Sequence, residues 1–249
     1  MSPEKPAYLL IGQMDKLSFM SEQQKHFEGE NLSGASLRNR DLSSSTFKDC
    51  YLANANLSNT NLRASKWTNV QLFEASFSGS DLSEADFRFQ NLSYVNFSGC
   101  KLINADLRNT DLCETNFAGA DLTGAKLSYD ESLEDELDDE DELDDEDELD
   151  DEDELDDEDE LDDEDEDEDE DGFSTTNVGP CFKGANLSNA DLSNGDFEAA
   201  DFTDANMDRC NLSGAFLKNA TFKNAYLSNA IFTGAVLDGS INSDGTNFI

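Results

Sequence analysis

The chain has 249 residues, with 58 acidic against 16 basic side chains, a formal net charge of −42, one histidine and five cysteines. Such a charge argues against nucleic acid as a direct partner, because two polyanions repel. Five cysteines without a CxxC pair likewise argue against a disulfide or zinc framework.

The charge is unevenly spread. Residues 130–171 carry 35 of the acids and no Lys or Arg; the rest holds 23 acids against 16 bases, a net of −7. Residues 1–29 precede any regular pattern and are expected to form an N-terminal cap, either a short helix or an atypical first turn. Their start, "MSPEKPAYLLIGQ", has no long apolar core or cleavage signature, so no secretory signal or membrane span is expected.

Residues 30–128 show a strict period of five. A large apolar residue returns at every fifth position, in most repeats with a small residue two places before it, as in residues 183–202, where Ala185, Ala190, Gly195 and Ala200 precede Leu187, Leu192, Phe197 and Phe202. In a flat strand this spacing alternates between faces. In an α-helix it advances about 500° and circles the axis. One buried side results only if the chain turns a corner in every repeat. The position two after the large residue suits a corner, since it is often Gly or Asn, as at Gly34, Asn54, Asn59, Gly79, Asn104, Gly124, Asn189 and Asn224. Phe47, Trp67 and Phe87 are 20 apart, as are Phe77, Phe97 and Phe117, and again Phe182, Phe202 and Phe222. Like then stacks on like after four corners, in a square coil. This block supplies about five coils, and residues 180–239 about three more. Leu57, Leu62, Trp67, Phe77, Phe97, Leu107, Phe117, Leu187, Leu192, Phe202 and Phe222 are the expected core. Cys50, Cys100 and Cys210 take the small inward position, while Cys113 and Cys181 face outward; all are expected as reduced thiols in a cytoplasmic protein. Arg108 is expected to face solvent, so its removal should be nearly neutral.

Residues 129–179 interrupt the pattern. Leu137, Leu143, Leu149, Leu155 and Leu161 recur every six residues within an almost uniformly acidic run. Six matches neither the coil nor a helix face, and the charge opposes compaction. The expectation is a disordered acidic loop. The phase of the large residues is the same on both sides, which is compatible with insertion into one continuous coil. Residues 240–249 lose the period and are expected to cap the last coil through Ile241, Phe248 and Ile249.

The repeats "ANLSN" (55–59), "ADLRN" (105–109), "ADLTG" (120–124), "ANLSN" (185–189) and "ADLSN" (190–194) resemble those of pentapeptide-repeat proteins, whose pattern is A(D/N)LxX. The resemblance covers about residues 30–127 and 180–239. It implies an all-β fold, a right-handed quadrilateral parallel β-helix, here interrupted by the acidic loop.

No catalytic set is expected. His26 stands alone, there is no Gly-rich phosphate loop, and no cofactor or metal site is called for. The acidic run lacks the Gly-centred loop of a specific Ca²⁺ site. The expected activity is non-enzymatic binding: a scaffold offering a β-helical coil and an acidic loop to an unidentified, basic protein partner. Asp41, Asp81 and Asp121 share one coil face at multiples of 20, interrupted by Asn61 and Lys101. With Asp144, Asp150, Asp156 and Asp162 of the loop they are the candidate partner-binding residues. The resemblance implies an alternative, a DNA-mimicking modulator of DNA gyrase or topoisomerase IV of the quinolone-resistance type. Two features depart from that type: the acids are concentrated in the loop, and no dimerising C-terminal helix is evident.

Overall fold

The structure is a computed structural model describing residues 25–132 and 179–248. The remainder of the cap segment, most of the acidic insertion and Ile249 lie outside the described residues. Within the described residues the chain is a right-handed quadrilateral β-helix built almost wholly from parallel pairings. Three short strands, β1 (His26–Glu28), β2 (Thr46–Lys48) and β3 (Lys66–Thr68), form one parallel sheet in that order. Elsewhere single-residue bridges join positions 20 apart, such as Ser36 with Asn56 and Asp41 with Asn61. Four faces result. The first holds β1, β2 and β3. The second carries Asn31, Tyr51 and Gln71, the third Ser36, Asn56 and Ser76, and the fourth Asp41, Asn61 and Asp81.

Each corner follows from the repeat. The N–H of the small residue closes a turn onto the carbonyl of the preceding large one, as Ala55 does onto Leu52 at 2.9 Å. The last turn residue is left-handed: the eight Gly and Asn positions named above have φ between 56° and 71°. The polar residue before Leu explains the D/N of the pattern. Asn56 Oδ1 accepts from the Ser58 N–H at 3.1 Å, and Asp41, Asp81 and Asp191 do the same for the residue two places on. That oxygen satisfies a donor that the tight turn would otherwise strand.

The coil interior is a stack of side chains. All eleven core residues named above are at most 3% exposed. Phe47 stacks on Trp67 at 4.1 Å and Trp67 on Phe87 at 5.2 Å. The ladder reaches further back than the expected cap boundary, because Phe27 of β1 is buried and stacks on Phe47 at 4.6 Å. The two other ladders are one: Phe77, Phe97, Phe117, Phe182, Phe202 and Phe222 stack in sequence at 4.9–5.3 Å. Asn116, Asp121 and Lys126 pair directly with Cys181, Asn186 and Asp191, so the coil passes the insertion without losing register. At the far end Phe248 packs against Phe222 and Phe232.

One rung is open. Val70 and Gln90 occupy small inward positions at the same corner of successive coils. Gln90 Oε1 accepts from the Val70 N–H at 2.9 Å while its Nε2 donates to the Arg88 carbonyl. Both side chains are bulkier than Ala, and beside them no bridge joins Gln71 to Asn91.

Candidate functional site

The fourth face brings Asp41, Asp81 and Asp121 into one row through the bridges Asp41–Asn61–Asp81–Lys101–Asp121. Asp41 is exposed; Asp81 and Asp121 are half-buried. None offers a bare carboxylate. Each Oδ1 is already a turn acceptor, for Ser43, Ser83 and Thr123 respectively. Asn61 Nδ2 also donates to Asp41 at 3.1 Å, and Asn186 Nδ2 to Asp121 at 3.1 Å. Hydrogen bonds from Ser43 hold Asp41 below the usual carboxylate range. At Asp81 burial opposes ionisation, but bonds from Ser83 and the charges of Lys101 and Arg63 outweigh it, so its pKa is also lowered. Asp144, Asp150, Asp156 and Asp162 lie outside the described residues.

The coil holds both ends of the insertion firmly. Asp130 exchanges two hydrogen bonds with Asn109, through its N–H at 2.8 Å and its carbonyl at 3.0 Å, and its carboxylate meets Arg108 at 3.3 Å. The Tyr129 N–H reaches the Ser193 carbonyl at 3.2 Å. On the return side Pro180 is buried and its carbonyl accepts from the Asp201 N–H at 3.1 Å. Gly179 lies so close to the next coil that an added Cβ would sit 2.1 Å from the Glu198 carbonyl oxygen.

Arg108 corrects an expectation. Its side chain is only 19% exposed and forks onto Asp106, with contacts of 2.9 and 2.7 Å, besides meeting Asp130. Arg63, by contrast, pairs with Glu84 while its side chain is 53% exposed. Arg108 instead ties the end of one coil face to the root of the insertion.

Cys50, Cys100 and Cys210 are buried and free, Cys113 is exposed and Cys181 is partly exposed. Burial pushes the Cys100 and Cys210 thiols up to about 12, the opposite of a reactive nucleophile. Among the described residues no group of three His, Cys, Asp or Glu side chains is placed to hold a metal ion.

The five-residue period alone does not single out the second face. Phe73 and Tyr94 stand exposed there, with ring centroids 5.2 Å apart. Their signal was available: aromatic residues occupy outward positions that most repeats fill with Ser, Asn or Gly. It becomes a cluster only when the chain is wound at 20 residues per turn.

Residues 23–97 match the family described as "Pentapeptide repeat region". Residues 91–128, 181–219 and 205–241 match "Pentapeptide repeats (8 copies)". No curated protein matches the chain. Among solved structures it is similar to alr5209, a pentapeptide repeat protein from Nostoc PCC 7120, with 33% identity, 35% of this chain and 74% of that one covered, and a TM-score of 0.33. It is also similar to HetL, a pentapeptide repeat protein involved in heterocyst differentiation regulation from Nostoc sp. strain PCC 7120, at 23% identity, 90% coverage of both chains and a TM-score of 0.23. A third is full-length QnrB1, a plasmid-mediated fluoroquinolone resistance protein, at 16% identity, 86% and 92% coverage and a TM-score of 0.30. The matched repeats span both blocks, and their corners, ladders and inward Leu and Phe are those of the coil described above: the chain belongs to the pentapeptide-repeat family.

Proposed function

We propose that the protein is a non-enzymatic scaffold of the cytoplasm that captures a basic protein partner, with the acidic insertion supplying long-range attraction. The observation that carries this reading is the seam. The Phe117–Phe182 stack and the three bridges beside it close the coil across the insertion. The ladder therefore runs directly from Phe117 to Phe182, while the 130–171 run between them concentrates 35 acids without a single base. A polyanion fixed at both ends to a rigid support steers cationic surfaces and raises their rate of encounter.

The test is capture of a basic protein such as lysozyme by the full chain and by a deletion joining Ser132 to Gly172, at low and high salt. The reading expects capture that weakens with salt and is largely lost on deletion. Capture by the shortened chain that is equal and indifferent to salt overturns it. A gyrase supercoiling assay with both proteins tests the topoisomerase alternative. Inhibition retained by the shortened chain would favour that alternative. The paired carboxylates of the fourth face speak against it, because Asn61 and Lys101 break the row of charge that a duplex mimic needs.

A further inference from the structure

The second face departs most from the chain's own repeat. Among the described residues, five of the eight exposed large apolar side chains belong to it: Tyr51, Phe73, Tyr94, Phe216 and Val236. Phe73 and Tyr94 adjoin each other and Tyr51 lies one rung before Phe73, while Phe216 and Val236 lie on the same face beyond the insertion.

The open rung lies in the middle of this face. Tyr51 pairs with Gln71 and Asn91 with Asp111, but Gln71 and Asn91 do not pair. Among the described residues, the N–H groups of Leu72 and Glu74 have no acceptor and the carbonyls of Asn91 and Ser93 no donor. The Ser93 hydroxyl is buried without a partner. Of these residues Leu72, Asn91 and Ser93 border a groove of about 660 Å³ walled by Phe73, Phe89, Tyr94, Asp111 and Cys113. Native proteins rarely leave several polar groups unmatched in one place. Phe89 and Tyr94 are also held at φ 61° and 65°, a conformation that disfavours bulky residues.

The charge is one-sided. Glu74, Asp111, Glu114, Asp196 and Glu198 lie along this face, and the first basic residue on it is Lys218. Arg88 and Arg108, just before its corners, are turned onto Asp86 and Asp106.

We infer that this groove binds an extended, Lys/Arg-bearing segment of a partner protein. Main-chain groups of the segment pair with the unmatched N–H and C=O groups of the open rung. An apolar side chain rests on the Phe73–Tyr94 pair, and flanking basic side chains meet the carboxylates and the aromatic faces. The inference rests on the scaffold reading and assigns it a docking surface.

The test uses a fluorescent peptide alternating lysine with phenylalanine and valine, titrated against the full chain by anisotropy. Phe73→Ser with Tyr94→Asn restores residues common at those positions and so preserves the fold. It should weaken binding about tenfold at high salt, where long-range attraction is screened. Val70→Ala with Gln90→Ala should close the rung and give the same loss together with a higher melting temperature. Unchanged binding by both double variants overturns the inference, as does equal affinity for a peptide with glutamate in place of lysine. The Ser132–Gly172 deletion separates the two ideas. If it alone abolishes binding at every salt while the groove variants bind normally, the groove inference fails and acidic recruitment stands. If the groove variants lose binding and the deletion changes nothing at low salt, the groove stands and acidic recruitment fails.

Discussion

Phe117 and Phe182, separated in sequence by the whole acidic insertion, stack with ring centroids 5.0 Å apart and planes 2° from parallel. Each is also stacked on its other side, on Phe97 and on Phe202. The pair therefore joins the two repeat blocks into one ladder. Phe182→Ala should cost about 3–5 kcal/mol, because the coils are held apart by the neighbouring rungs and cannot collapse into the cavity. Urea unfolding measures it. In a double-mutant cycle with Phe117→Ala the two changes should not add, the coupling reporting the stack itself. Full additivity would mean that the two blocks are not packed on each other.

Deleting residues 133–171 should leave a single cooperative thermal transition. The seam is made by residues on either side of the insertion, and shortening a long loop changes its closure entropy only slowly. Two separated transitions, or loss of the melt, would show that the insertion is needed to join the blocks.

Arg108→Ser should destabilise the coil by about 1–2 kcal/mol, since it removes a two-point bond to Asp106 that is mostly shielded from water. At Asp106 burial opposes ionisation, but the hydrogen bonds from Arg108 outweigh it and hold its pKa below the ordinary value. A depressed folded-state pKa contributes stability that is full above the unfolded value, near 3.9, and is lost as pH falls through the folded one. The variant should lack this part of the acid sensitivity. Parallel stability–pH curves for the two proteins below about pH 5 would contradict the assignment.

Tyr94→Asn should raise stability by about 0.5–1 kcal/mol. Tyr94 holds φ 65° while its ring is exposed, and Asn reaches that conformation at lower cost. The gain is reduced by the lost contact with Phe73. A drop in melting temperature would show that the ring supports the corner.

Much of the fold was legible because each repeat is a local rule. Leu57, Ala55 and Asn59 carry their positions in the spacing, and tertiary context has little room to override a pattern repeated so often. The ladders were legible in pieces. Phe27 is not legible in the period because no small-polar-Leu unit surrounds it, yet burial on Phe47 requires only the ring. The candidate site was less legible. Asp41, Asp81 and Asp121 share a row as their spacing says, but the turn bonds that engage their oxygens depend on backbone N–H directions. Arg108 looked free because its neighbours in sequence say nothing of Asp130, which reaches it from one coil further on.

The sequence by itself determined the period, the inward residues, the turn positions and the concentration of acid in 130–171, since these depend on the order of residue types along a few neighbours. Tertiary structure decided the rest. Register across the insertion was settled by stacking, because only a rung of matching phase lets Phe182 meet Phe117 and Cys181 pair with Asn116. The opening on the second face arose where Val70 and Gln90 meet at one corner. Neither residue is unusual alone. Their bulk acts only when the coil places one above the other, and spacing read along the chain does not add volumes across it.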